Sequence, residues 1–411
     1  MESEKRVHTN GTVEDIRQDA PSRASSAQGS DDYVTRVFEQ PADIPRAAWN
    51  DLLALEPDPS PFMRHEYLAA LTDSGCATAD TGWHPRFLTL WKNDTLRAAC
   101  PLYLKDHSYG EYVFDWAWAN AYAQHGLHYY PKGLVAVPFT PVPGPRLLAR
   151  DDAARHALMK ALREWTEKQG LSSLHLLFAA DRDLAAARTN GLSQRETVQF
   201  HWSNAGYRDF DHFLSGLQQE KRKKIRQERR KVAEAGVVFR HASGADITDT
   251  DWDFFYRCYA QTYREHGNPP YLNRDFFARM GRDLADHWLL FVAEQDHRPV
   301  AASLIGIDPA HRVAYGRYWG AIERVDCLHF EACYYQPLQW CIEHGYRRFE
   351  GGAQGEHKMA RALMPVRTSS AHWLAHPAFA DAVDRFLQRE RVGIDGYLDE
   401  LQQRNPLRTP R

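Results

Sequence analysis

At 411 residues the chain is longer than one ordinary core supports, so two domains are expected. Hydrophobic residues make up 43% of it and aromatics 12%, enough to fill packed interiors. A net charge of −3 excludes a generally basic protein that coats nucleic acid, so any anion site has to be local. No window approaches the roughly 18 uninterrupted apolar residues of a membrane-spanning helix. The six cysteines form no C-x-x-C pair and read as reduced thiols, which suits a cytoplasmic protein. Residues 1–31 are polar, lack the apolar core of a signal peptide, and read as a disordered leader.

From residue 32 the chain reads as one α/β unit of helices and strands, written twice. Asp43-Ile44 followed by Trp49 returns as Asp246-Ile247 and Trp252. "SPFMRHEYLAAL" (60–71) is echoed by "PPYLNRDFFARM" (269–280), and "FLTLWKNDTLRAACPLYL" (87–104) by "LLFVAEQDHRPVAASLIGI" (289–307). The last pair are alternating strands around a short polar turn. Next, "GEYVFDWAWANAYAQHG" (110–126) alternates like a strand, placing Trp116 and Trp118 on one face and Asp115 on the other. Such a wall suits a small amine, or equally an interdomain core. "VPFTPVPGPR" (137–146) is a proline-stiffened loop that would offer Arg146 to a substrate carboxylate. A helix ending "EKQG" and the strand "SSLHLLF" then match a later helix ending "IEHG" and "YRRFEGG". The units divide near "SNAGYRDFD" (203–211), giving domains at 32–205 and 206–395 and a tail at 396–411.

The second unit opens on "KRKKIRQERRK" (221–231), eight basic side chains in eleven residues. On a helix, Arg222, Arg226, Arg229 and Arg230 fall near one side, while Ile225 joins Leu217 and Val232 on a core face. The run is either a solvated face or an anion site. "RYWGA" (317–321) ends a strand, with Arg317 and Tyr318 as substrate contacts. "LHFEACYYQPLQWCIEHG" (328–345) reads as one helix with a core stripe, and His329 and Glu331 in its first turn face the substrate. His329 and Cys333 have a metal pair's spacing, but no further ligands match and no metal site is expected. In "EGGAQGEHKMAR" (350–361) the glycines let backbone approach a ligand, and Gln354 is taken as a substrate contact. Glu356, His357 and Lys358 place an acid or base, a near-neutral titrating group and a cation side by side. An N-acyl transfer needs those functions to neutralise an amine and hold an oxyanion. An exposed charged turn is the competing reading.

The order of elements resembles tandem GNAT domains, and four stretches narrow the likeness: "HSYGEYVFDWAWANAY", "VAVPFTPVPGPRLL", "KRKKIRQERRK" and 328–366. Over about residues 32–395 the chain resembles the FemAB-like family of predicted N-acyltransferases, labelled a peptidoglycan biosynthesis or recognition family. The resemblance implies an α/β (α+β) fold of two GNAT-like acyltransferase domains, each a mixed, mostly antiparallel sheet flanked by helices. It implies that Lys358 takes the place of a family lysine that stabilises the tetrahedral intermediate or holds the donor's ester. The expected activity is amide formation on a small amine or peptide-like acceptor, with peptidoglycan precursor as an inherited label. No tightly bound cofactor is expected. The R/Q-x-x-G-x-G/A loop that cradles CoA pyrophosphate has no clean copy here, which favours aminoacyl-tRNA over acyl-CoA as donor and gives the basic run a phosphate backbone to meet. Acyl-CoA- or carrier-dependent transfer and a non-catalytic recognition module are the alternatives. No DNA-reading element is present, and one chain suffices to build a cleft as a monomer.

Overall fold

The computed structural model describes residues 33–353 and 355–408, so the expected leader lies outside the described residues. The first unit runs β1 (Val34–Phe38), α1 (Arg46–Ala54), α2 (His65–Asp73), β2 (Trp83–Lys92), β3 (Thr95–Lys105), α3 (Trp116–Gln124), β4 (Lys132–Val135), β5 (Leu148–Ala149), α4 (Asp152–Lys168), β6 (Ser173–Leu176), α5 (Asp181–Thr189) and β7 (Ser193–Ser203). The second opens on α6 (Phe210–Ser215) and α7 (Gln219–Glu234). It repeats the pattern as β8 (Val237–Ser243), α8 (Asp249–Glu265), α9 (Arg274–Asp283), β9 (Trp288–Gln295), β10 (Arg298–Asp308), β11 (Val313–Ala321), α10 (Leu328–Phe330), α11 (Gln336–Glu343), β12 (Arg348–Ala353), β13 (Met364–Leu374) and α12 (Pro377–Gln403).

The two hairpins expected from alternation are present and close in the same way. Asn93-Asp94 joins β2 to β3 and Asp296-His297 joins β9 to β10, all four residues at positive φ. That is the mirror-image two-residue turn whose twist matches paired strands, and Asn and Asp tolerate it best after glycine. Helix starts are capped locally: Asp151 accepts from the Ala154 amide, Asn273 from Phe276, and Thr248 and Asp251 form a capping box.

All strands belong to one sheet, ordered β1-β2-β3-β4-β6-β13-β7-β12-β11-β10-β9-β8, with β5 beside β3. The units exchange their last strands: β13 lies against β6 of the first, and β7 against β12 of the second. β7 and β13 pair antiparallel at the centre from Ser193↔His372 to His201↔Met364. The boundary drawn at residue 205 therefore follows a strand already committed to the other half. The boundary at 395 falls inside α12, so residues 396–403 are helix rather than tail.

Below the sheet, α1, α2, α8 and α9 share one core, in which Trp49, Phe62, Tyr67, Trp252, Phe276 and Trp288 are almost fully buried. Phe62 of the first unit packs edge-on against Trp288 and Tyr315 of the second, at 6.2 and 5.2 Å between centroids. Edge-to-face contacts of this kind add about 0.5–1.5 kcal/mol each to the area they bury. Strand exchange and this shared core fix the halves against each other and hold the segments around β11 in place.

Candidate active site between β11 and β12

β11 and β12 are parallel, pairing at Val313↔Arg348, Ala314↔Phe349 and Tyr315↔Glu350 and then separating. On the other side of β11 a bulge interrupts the ladder to β10. Leu304 opposes Tyr318 and Ile305 opposes Gly316, so Arg317 has no partner. A bulge increases twist and re-aims side chains, and here it opens the gap that parallel pairing would otherwise close. Gly316 suits the spot, because a Cβ there would lie 3.1 Å from the Phe349 ring.

Two cavities meet at this bulge. The smaller, about 150 Å³, lies on the α10–α11 side, lined by Ser303, His329, Cys333, Tyr334 and Gly351 among others. The larger, about 360 Å³, lies on the α8 side, lined by Tyr259, Thr262, Tyr263, His266 and Asn268. Arg317, Tyr318 and Trp319 line both.

The helix expected over 328–345 is not continuous. Glu331–Tyr335 form a π-helical turn between α10 and α11. Pro337 has no N–H to offer Cys333, four residues back, and its ring crowds that carbonyl, so the regular ladder gives way there. The widened turn places His329, Cys333 and Tyr334 together on the smaller cavity. Burial holds the His329 imidazole down to about 4, with His357, Arg361 and Lys358 adding to the effect, so the ring is neutral. Burial pushes the Cys333 thiol up to about 12, which removes it as a nucleophile at neutral pH.

Lys358 lies behind the cavity wall, bonded to the backbone of the lining residue Gly351. It sits in a 3-10 turn, Glu356–Arg361, and is only 6% exposed. Its Nζ donates to the carbonyls of Gly351 at 2.7 Å and Gly352 at 3.3 Å. Burial lowers its pKa to about 8. Gly351 has to be glycine: a Cβ would fall 2.3 Å from Leu363 and 3.0 Å from the Phe200 carbonyl. His357 is exposed, with Nε2 3.4 Å from the Tyr334 hydroxyl, and its pKa is lowered by burial and then by Arg361 and Lys358. Glu356, expected beside them, departs to α12, where Arg404 at 2.7 Å and Tyr397 at 3.1 Å hold its two oxygens. Gln354 lies outside the described residues.

The profile of the FemAB-like family, described as peptidoglycan biosynthesis/recognition, matches residues 40–409. This chain belongs to the FemAB-like family. A search of curated proteins finds no match to it. Among solved structures, FemX is similar at 9% identity, with a TM-score of 0.52 over 83% of this chain and 98% of that one. The C-terminal domain (DUF2156) of a protein named as a lysylphosphatidylglycerol synthetase from Agrobacterium fabrum is similar at 11% identity, with a TM-score of 0.50 over 84% of this chain and 95% of that one. A tandem GNAT protein from the clavulanic acid biosynthesis pathway matches at 15% identity, with a TM-score of 0.43 over 84% and 99% of the two chains. The expected α/β fold of two related units, with a mixed sheet flanked by helices, is the one this FemAB-like chain adopts, and it is the fold shared with FemX. Among the described residues no helix is long and apolar enough to cross a membrane.

The first-unit candidates of the FemAB-like chain sit elsewhere. Residues 116–124 are helix, not strand, and Asp115 precedes it. Asp115 is buried against Lys132 and accepts from the Tyr129 hydroxyl at 2.6 Å. Trp118 packs edge-on to His372 at 5.0 Å, and Trp116 against Tyr109. Trp118 is therefore part of a core with α12 rather than a substrate wall, whereas Trp116 stays half-buried against the exposed Tyr109. Arg146 is 1% exposed and spends its donors on the carbonyls of Val142, Pro145 and Leu177, bracing its own proline loop.

The basic helix α7 divides by face. Ile225, Glu228 and Val232 are buried, as the spacing predicted for Ile225 and Val232. Arg229 points inward with them: it donates to Glu331 at 3.1 Å and Gln339 at 3.0 Å, with its guanidinium over Phe210. Glu331 is thereby buried and paired, and burial raises its pKa. Arg226 and Arg230 stay exposed, making only surface pairs with Asp211 and Glu234, and Arg222 is half-buried. Sequence reasoning passed over Tyr259 and Tyr263. Their i, i+4 spacing on α8 was the available signal.

Proposed function

We propose that this FemAB-like protein is an N-acyltransferase that forms an amide between a donor in the smaller cavity and an amine in the larger one. The observation that carries the reading is that two cavities of different character meet at the Arg317–Trp319 bulge, beside a buried lysine and a titratable imidazole. The amine nitrogen attacks the acyl carbonyl, the carbonyl oxygen takes up negative charge, and the bond to the leaving oxygen or sulfur breaks. The Lys358 ammonium, protonated below about pH 8, stabilises that oxyanion across the Gly351 turn. The amine's proton passes by way of the Tyr334 hydroxyl to His357 Nε2 and from there to the leaving oxygen or sulfur, which departs as the alcohol or thiol.

Aminoacyl-tRNA is the donor the surface supports best, because the outer face of α7 carries Lys223, Lys224, Arg226 and Arg230 in solvent while its inner face touches the site. The peptidoglycan-related family description favours a peptide-like acceptor. Incubation with charged tRNA or with acyl-CoA, over a panel of amines and with mass detection of amides, tests the reading. Loss of product formation after RNase treatment of the donor identifies tRNA as the donor, and absence of product from every donor and amine overturns the proposal. Neutralising Lys224, Arg226 and Arg230 together is expected to raise KM for tRNA about tenfold and flatten its salt dependence. Unchanged kinetics at low salt would return that face to bare solvation.

A further inference from the structure

Arg317 stands out among the groups lining the two cavities. Its Nη2 donates to the Phe139 carbonyl at 2.9 Å, the Thr140 hydroxyl at 3.3 Å and the Tyr318 hydroxyl at 2.9 Å, all neutral oxygens. Nε is buried with no acceptor among the described residues. Among the described residues no carboxylate lies within ion-pair distance of the guanidinium, whereas Arg155, Arg361 and Arg367 each have one. The side chain is half-buried, with the Phe62 and Tyr318 rings 5.1 and 4.8 Å from its centre. Among the described residues neither cavity is lined by an aspartate, a glutamate or a lysine. A guanidinium removed from water without a counter-charge is costly, and an anion arriving from outside would complete it.

We propose that the larger cavity selects an acceptor that carries a carboxylate, an amino acid or short peptide, by pairing that carboxylate with Arg317. The α8 tyrosines and Trp319 then flank the acceptor's body, and its amine is left at the bulge facing the donor. The inference rests on the transferase reading for the amine's role, but the carboxylate contact is tested without turnover. Calorimetric titration compares L-phenylalanine with L-phenylalaninamide, L-alanine with L-alaninamide, and inorganic phosphate, on wild type and on Arg317→Met. Each acid is expected to bind wild type at least tenfold more tightly than its amide. In Arg317→Met that ratio falls towards one, with the melting temperature held to confirm folding.

Equal binding of acid and amide by wild type, binding of neither, or phosphate binding tighter than either acid each overturns the inference. If Arg317→Met unfolds, Arg317→Lys takes its place, since a lysine keeps the charge and loses the planar geometry. A preserved acid preference at reduced affinity supports the pairing, and an unchanged affinity refutes it. The amide-forming assay separates the two ideas. Acid preference in binding without product refutes the transferase reading alone, whereas product from carboxylate-free amines at equal rate refutes the carboxylate inference alone.

Discussion

Lys358→Ala is expected to lower kcat for amide formation by about 10²–10³-fold, the usual cost of one donor to a developing oxyanion. KM for the acceptor should change little. Folding should survive the change. The lysine pKa is lowered on folding to about 8, so the folded chain holds this ammonium less readily than the unfolded chain does. Alanine at this position therefore removes a buried charge rather than a stabilising one, though the Gly351 and Gly352 carbonyls lose a donor. The same shift sets a pH test. Only the protonated form stabilises an oxyanion, so wild-type kcat should fall as pH rises through about 8, and Lys358→Arg should carry activity to higher pH at a reduced maximum. Near wild-type turnover in the alanine variant would take Lys358 out of the mechanism.

Glu356, His357 and Lys358 are adjacent in sequence and were expected to act as a cluster. A 3-10 turn has three residues per revolution, so consecutive side chains leave it in three directions. Lys358 goes inward to Gly351, His357 goes toward Tyr334, and Glu356 goes out to α12. The chain order of residues could not reveal this, because it depends on a turn type that the glycines around it permit but do not dictate.

Other features were legible because local chemistry alone decides them. The hairpins needed only period-two strands and a polar pair able to take positive φ. The repeat survived translation into structure, matching β6 to β12 and α1–α2 to α8–α9. "WAWANAY" was ambiguous, since so short an aromatic stretch fits both a strand face and a helix face, and packing against α12 decided for helix. Strand exchange was invisible for another reason. β7 and β13 alternate in a way that any neighbouring strand would satisfy, so pairing is settled by the whole sheet. Arg229 could not be told from Arg226 by residue type. Three positions along α7 turn one of them in against Glu331 and leave the other facing out.

Glu228→Ala is expected to destabilise the fold by about 3–5 kcal/mol, the cost of stranding one member of a buried ion pair. Glu228 lies within the basic run, yet it faces inward, accepting from Arg361 at 2.8 Å and from the Tyr335 hydroxyl. Arg361 is 2% exposed, its guanidinium 3.7 Å from the Phe330 centroid, and its other nitrogen donates to the His357 carbonyl at 2.8 Å. One carboxylate on α7 thus secures the π-helical turn and the 3-10 turn, the two segments that supply the site's side chains. Without it, Arg361 keeps its charge with no counter-ion, and water or the exposed lysines of α7 cannot replace the lost pair inside the core. Urea unfolding should show a lowered midpoint in Glu228→Ala, and a similar one in Arg361→Ala. The double variant Glu228→Ala/Arg361→Ala should lose less than the sum of the two, since neither then leaves a stranded charge. Residual activity in Glu228→Ala should fall more than global stability explains, because the His357 carbonyl loses its anchor when Arg361 shifts. Additive losses in the double variant would show instead that the two residues stabilise the fold independently, and that α7 bears on the site only as packing.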